Sequence, residues 1–220
     1  MTIETVKYKG YTIKIEQDPD PIDPREWDNL GTLVCYSRCH SIGDKHEFSS
    51  QEAFKEWLDG YENKNNVILL PIYLLDHSGI TISTNPEKFR ACDPQGWDWG
   101  CVGVIYVTKE RIKKEYSLKR NVTKKTLAKV LDVLRDEVET YDQYLTGDVY
   151  GYNVESPKGG EIDDGSCWGF FGSDHKQSGL MEQAQGAVDY NIRSTRQAHQ
   201  DKLKAQIKAS APLSVRLAIA

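Results

Sequence analysis

The sequence predicts an α+β fold, a single domain with a mainly antiparallel sheet, flanking helices and a long C-terminal helix. Three observations lead there. Strand-like segments, helices, a hairpin and a terminal helix follow one another without ever repeating as βαβ. No internal repeat is visible, and no linker of distinct composition divides the chain. From about Gly179 to Lys208 the chain becomes rich in Ala, Gln, Lys and Arg, the composition of a long polar helix that ends near Pro212. The expected division is an α+β core over residues 1–175 and a helical extension over 176–220.

Each element carries its own signal. Tyr8 to Glu16 alternates β-branched and aromatic residues with polar ones, the period of a half-buried strand. Pro19, Pro21 and Pro24 make the next segment a stiff, extended loop without ladder donors. Gly31 to Arg38 reads as a second strand, antiparallel to the first. Ser49-Ser-Gln-Glu52 has the spacing of a capping box, and Ala53, Phe54, Trp57 and Leu58 follow at helical spacing up to Gly60. Val67 to Leu75, Gly79 to Ser83 and Cys101 to Val107 read as strands central in the sheet. Thr108 caps a short helix to about Tyr116. Thr123 caps a long one in which Leu127, Val130, Leu131, Leu134, Val138, Tyr141 and Leu145 recur at three and four, with Gly147 as its stop. Asp148 to Glu155 and Glu161 to Phe171 form a hairpin through Pro157-Lys-Gly-Gly160.

Composition narrows the class of protein. The 220 residues are 28% charged and 39% hydrophobic, but 5 Trp and 12 Tyr set them apart from disordered chains. The longest apolar run, Val67 to Leu75, contains Pro71 and ends at Asp76, well short of the roughly 18 residues a membrane span needs. Met1 to Lys9 lacks the apolar stretch of a secretory signal, and the five cysteines form an odd, irregularly spaced set. Reduced thiols in a cytoplasm are expected, with no structural disulfide. The formal net charge of −5 does not draw the whole molecule to phosphate, but the charge is segregated. Residues 109–129 are strongly basic, residues 130–164 strongly acidic, and a second acidic segment precedes Gly31.

Several constellations invite chemistry. Cys35-x-x-x-Cys39-His40 suggests a metal, but along a strand its two thiols stand about 13 Å apart at ~3.3 Å per residue and share no ion. No metal and no cofactor is expected. Asp76-His77-Ser78-Gly79 holds the residue types of a hydrolytic triad, yet consecutive side chains point apart, so a turn with a hydrogen-bonded histidine is expected. Asp163 and Asp164, with Asp98 and His77, are the candidate catalytic set of a metal-dependent nuclease or hydrolase. Against that reading, no Lys completes the spacing, and acid pairs at hairpins are common solvated turns. Trp97, Asp98 and Trp99 put a carboxylate between two large aromatics, which either anchor a partner or cover the sheet, and with Asp18, Asp20, Asp23 and Glu26 they form the candidate partner-binding surface. Lys113, Lys114, Lys119, Arg120, Lys124 and Lys125 are the candidate nucleic-acid contacts, with solvated helix faces as the alternative.

Five segments taken together carry a resemblance. They are Asp23-Pro-Arg-Glu-Trp-Asp-Asn-Leu-Gly-Thr-Leu-Val-Cys35, Leu70-Pro-Ile-Tyr-Leu-Leu-Asp-His-Ser-Gly-Ile-Thr81, Trp97 to Val107, Glu139 to Gly151 and Ser166-Cys-Trp-Gly-Phe-Phe-Gly172. In these, nearly the whole chain resembles a family of uncharacterised proteins carried by phages, plasmids and other mobile elements. The resemblance implies a genetic context and no catalytic residue. That context suggests a counter-defence protein of the anti-CRISPR type, which binds a CRISPR effector nuclease with its guide RNA, or a restriction enzyme, without catalysis in the bacterial cytoplasm. Acidic segments would then occupy a positively charged nucleic-acid channel, and the basic run would touch RNA or DNA. A metal-dependent nuclease and an antirestriction or nucleic-acid-binding accessory protein remain the alternatives.

Overall fold

The computed structural model describes residues 2–37, 39–60 and 66–210. In chain order these form β1 (Thr2–Tyr8), β2 (Tyr11–Gln17), a 3-10 turn (Pro24–Glu26), β3 (Thr32–Cys35), α1 (Gln51–Asp59), β4 (Val67–Asp76), β5 (Ile80–Ser83) and α2 (Glu87–Arg90). They continue with β6 (Trp99–Thr108), α3 (Lys109–Glu115), α4 (Lys124–Thr146), β7 (Val149–Glu155), β8 (Glu161–Phe171) and α5 (Leu180–Ser210). The class is α+β, with antiparallel pairing throughout and a long C-terminal helix. The strands part into two four-stranded sheets, ordered β1-β2-β7-β8 and β3-β6-β4-β5, where a single sheet was expected.

The chain divides into two compact units, Met1–Pro19 with Val149–Ala220, and Asp20–Asp148. This division differs from the expected boundary at residue 175. Leu180, Ala184 and Val188, one face of α5 at a spacing of four, are buried with Ile13, Ile15, Tyr152 and Val154 in the core of the first unit. Only three buried side chains mark that face, so the polar composition hid a helix that begins as part of the core. Its residues from 193 to 210 are exposed. The predicted end near Pro212 lies outside the described residues.

The strand predicted from Tyr8 to Glu16 is β2, and Tyr8 ends a separate strand, β1, that the prediction did not include. Lys9 and Gly10 take φ of 49° and 86°, the left-handed conformation of a tight hairpin turn, and Tyr8 faces Tyr11 across it. Alternation continues through the turn in sequence, which is why Tyr8 to Glu16 looked continuous.

In the unit Asp20–Asp148, β3 pairs with β6, not with the N-terminal strands as expected. Strands β4 and β6 are central, whereas β5 lies at an edge. Pro71 is tolerated inside β4 because only residues 73–76 pair with β5, leaving β4 unpaired on that side at the proline. Ile72, Ile82, Ile105 and Val107 of the sheet are buried with Val130, Leu134 and Val138 of α4. The caps Thr108 and Thr123 are present as predicted, accepting from Arg111 and Thr126 N–H, and Gly147 closes α4 at φ 73°. The cap of α1 falls one residue later than the expected box, on Ser50, which accepts from Ala53 N–H.

Candidate functional site

Strands β4 and β6 bring two loops together at one end of their sheet. Leu75 pairs with Trp99, and the Asp76 N–H donates to the Asp98 carbonyl at 2.8 Å. The turn Asp76-His77-Ser78-Gly79 therefore meets the loop that precedes β6. His77 Nδ1 lies 3.0 Å from Asp98 Oδ2, and His40 Nε2 lies 2.8 Å from Asp76 Oδ2. Each carboxylate orients one imidazole, the arrangement that fixes a ring for recognition or proton exchange. Among the described residues no hydroxyl or thiol is hydrogen-bonded to either ring. Ser78 sits in the turn at φ 59° and supplies no nucleophile to His77.

Asp93 organises the loop that presents Asp98. Its Oδ1 accepts from the Gln95 and Gly96 N–H groups at 3.1 Å, and its Oδ2 accepts from Trp97 N–H at 2.6 Å and Asp98 N–H at 2.9 Å. These bonds from Asp98, Trp97, Gln95 and Gly96 hold the Asp93 carboxyl below its ordinary value. Trp99 supports the loop from beneath. Its Nε1 donates to the Asp93 carbonyl at 2.8 Å, and its ring packs edge-on against Tyr73 and beside Phe89. Trp97 projects from the same loop with 82% of its surface exposed, and its ring meets no other aromatic among the described residues. By contrast Trp168, 42% exposed, lies across Gly151, where a Cβ would come within 2.2 Å of the indole.

The other candidate partner contacts fall on both sides of the division between the units. Asp23 is spent on structure, accepting from the Arg25 N–H at the start of the 3-10 turn, and Glu26 is exposed within that turn. Asp18 lies in the first unit, where its N–H donates to the Val149 carbonyl, and Asp20 begins the second unit. The four candidate catalytic residues are likewise divided, with Asp163 and Asp164 in the first unit and His77 and Asp98 in the second. Asp163 and Asp164 are exposed on β8, an edge strand, where Asp164 takes φ 54° and the pairing with β7 shifts register. Carboxylates at an edge bulge discourage a further strand from pairing there. Among the described residues no group of three His, Cys, Asp or Glu side chains is placed to hold a metal ion. Burial pushes the Cys35 thiol up to about 12, so it stays protonated and is a poor ligand beside the exposed Cys39.

The basic candidates lie on one continuous stretch. Lys113 and Lys114 occupy the last turn of α3, Lys119 and Arg120 the connection, and Lys124 and Lys125 the first turn of α4. No acidic residue stands in that first turn, and a cation at a helix N-terminus costs about 0.3–1 kcal/mol against the dipole before salt screening. The connection is well held. The Leu118 N–H donates to the Lys113 carbonyl at 2.8 Å with Ser117 at φ 49°, a Schellman closure. Tyr116, Leu118 and Val122 pack against the core.

Sequence reasoning missed a buried network. The Arg25 guanidinium, 5% exposed, donates Nε and Nη2 to Asp44 at 2.7 and 2.8 Å, Nη1 to Glu137 at 3.3 Å and Nη2 to the Gly31 carbonyl at 2.8 Å. Glu137 also accepts from the Leu30 and Gly31 N–H groups, and Asp44 from Leu33 N–H. Burial lowers the affinity of Arg25 for its proton, but Asp44 and Glu137 more than restore it. Burial pushes the Glu137 carboxyl up, against the pull of Gly31, Leu30 and Arg25. The available signal was Glu137 itself, three residues after Leu134 and four before Tyr141, on the apolar stripe of α4. Asp142 is a second such residue. It is 8% exposed, accepts from Ile82 N–H at 2.7 Å and from Lys88 at 2.8 Å, and so fixes the edge strand β5 to α4.

No helix among the described residues is long and apolar enough to cross a membrane. Comparison with protein-family models, with curated proteins and with solved structures found no match to this chain.

Proposed function

We propose that this chain acts by binding rather than by catalysis, as a mobile-element counter-defence protein that blocks a host defence nuclease complex through the loop carrying Trp97. One observation carries the reading. An almost fully exposed tryptophan stands on a loop whose amides are tied down by the Asp93 carboxylate, beside Asp98 and the outward-facing His77. Leaving an indole in water is unfavourable, and ordering it before contact removes entropy that a partner would otherwise have to overcome. Rigid, desolvatable Trp side chains dominate the energy of many interfaces. The class of partner, a CRISPR effector with its guide RNA or a restriction enzyme, rests on the resemblance read from the five sequence segments alone.

The test is a DNA cleavage assay with purified guide-loaded effectors and restriction enzymes, with this protein in molar excess. Slower cleavage is expected in one of these systems. Trp97→Ala should weaken inhibition about 30-fold or more, the effect of losing roughly 2 kcal/mol at an interface centre, without changing the unfolding midpoint. Unaltered cleavage in every system would end the counter-defence reading. Inhibition that survives Trp97→Ala would move the contact elsewhere on the protein.

A further inference from the structure

Some exposed cations of the chain are neutralised by a nearby carboxylate. Arg90 pairs with Glu87, Arg135 with Asp132 and Lys204 with Asp201 along helices, while Lys9 pairs with Asp189 and Lys14 with Glu155 across elements. The stretch 113–125 instead gathers six unneutralised cations within thirteen residues. Lys113, Lys114, Lys119, Arg120, Lys124 and Lys125 form no ion pair with any described residue, although Glu110 and Glu115 lie close by in sequence. Within residues 109–129, only Arg111 is paired, with Asp28.

These six cations are held in place and not spread along a tail. The inward packing of Tyr116, Leu118 and Val122 and the Schellman closure of α3 fix the connection, and the Thr123 cap fixes the start of α4. Five of the six are exposed and Lys113 is half-buried, so the stretch forms a short basic ridge along the chain. Screening reduces charge interactions beyond about 8 Å at physiological salt, so the ridge and not the net charge of −5 governs what approaches it.

We infer that this ridge, from the last turn of α3 to the first turn of α4, is a docking surface for the phosphate backbone of a nucleic acid. The inference stands apart from the Trp97 reading, because the two use different residues. Six unpaired Lys and Arg side chains can each displace a condensed counterion from a phosphate. The ridge offers no exposed aromatic side chain for base stacking, since Tyr116 is turned into the core. Recognition is therefore of the backbone, indifferent to sequence, with dissociation constants of about 10⁻⁴–10⁻⁶ M at physiological salt.

The experiment is fluorescence anisotropy with a labelled 20-nucleotide single-stranded DNA, its RNA counterpart and the DNA duplex, between 25 and 200 mM KCl. Full engagement gives a slope of log K against log salt of about −4 for the single strands and about −5 for the duplex. Neutralising Lys119, Arg120, Lys124 and Lys125 together to Gln should flatten that slope by roughly 3 and lower affinity at least 100-fold at 50 mM KCl. Arg193→Gln with Arg196→Gln, on α5, should change neither. Preference among the three probes identifies which nucleic acid fits the ridge best. No binding at 25 mM KCl, a salt-independent affinity, or a quadruple variant equal to wild type would overturn the inference. Displacement of the probe by polyglutamate as effectively as by unlabelled oligonucleotide would also overturn it, assigning the ridge to an acidic protein surface.

Discussion

Two loops in the unit Asp20–Asp148 are held by carboxylates that accept backbone N–H groups, and they serve opposite ends. Glu137 grips Leu30 and Gly31 from a helix more than 100 residues away, with Arg25 and Asp44 completing a network largely shielded from water. Asp93 grips Gln95, Gly96, Trp97 and Asp98, its own near neighbours, in open solvent. The first carboxylate fastens a loop inward onto the core, whereas the second fastens a loop outward so that an indole stays on display. The chemistry is shared, and burial with sequence distance decides whether it yields stability or presentation.

The largest loss should follow Arg25→Met. Deleting the guanidinium leaves Asp44 and Glu137 facing each other without their cation, and breaking a buried pair in this way costs about 3–5 kcal/mol. Urea unfolding should show the fall as a lower midpoint with an unchanged slope. A loss below about 1 kcal/mol would mean that water reaches the network and that it resembles the exposed node after all.

Gly31→Ala tests the same loop by packing. A Cβ at this position would come within 2.5 Å of Leu134 and 2.7 Å of Ile105, both fully buried, so the loop must lift from α4 or the core must shift. Overpacking of this kind costs about 1–3 kcal/mol. Thermal unfolding should register it, and a variant as stable as the parent would show that the loop floats over the helix instead of being clamped to it.

The same distinction explains how much could be read in advance. Local devices were legible. The caps Thr108 and Thr123, the stop at Gly147 and the periodicity of α4 are written within a few residues of where they act. The exposed-tryptophan loop and the basic run were also visible as local composition, and the structure added how they are held. Long-range partners were not legible. The pairing of β3 with β6, the parting of the strands into two sheets and the meeting of Arg25 with Glu137 each depend on residues far apart in sequence. The candidate catalytic set was assembled by residue type, which carries no information on location, and Asp163 and Asp164 belong to a different unit from His77 and Asp98.

The smallest effect on stability, and the sharpest test of the comparison, belongs to Asp93. Its carboxyl is held below the ordinary value of 3.8 by the N–H groups it accepts, so the unfolded loop binds a proton more readily than the folded one. The order it confers is therefore present above the ordinary aspartate range and is lost as pH falls through the lower, folded value. Amide resonances of Gln95 to Asp98 should shift together on acidification below about pH 4, after exposed carboxylates have begun to titrate. Asp93→Ala should produce the same shifts at neutral pH and speed hydrogen exchange at these amides, while global unfolding moves little because the node is solvent-exposed. If the substitution lowered stability as far as Arg25→Met does, the outward loop would be part of the core's support, and the division between a fastening carboxylate and a presenting one would fall. If the amides of Gln95 to Asp98 did not respond, Trp97 would be held by the packing of Trp99 against Tyr73 and Phe89 alone.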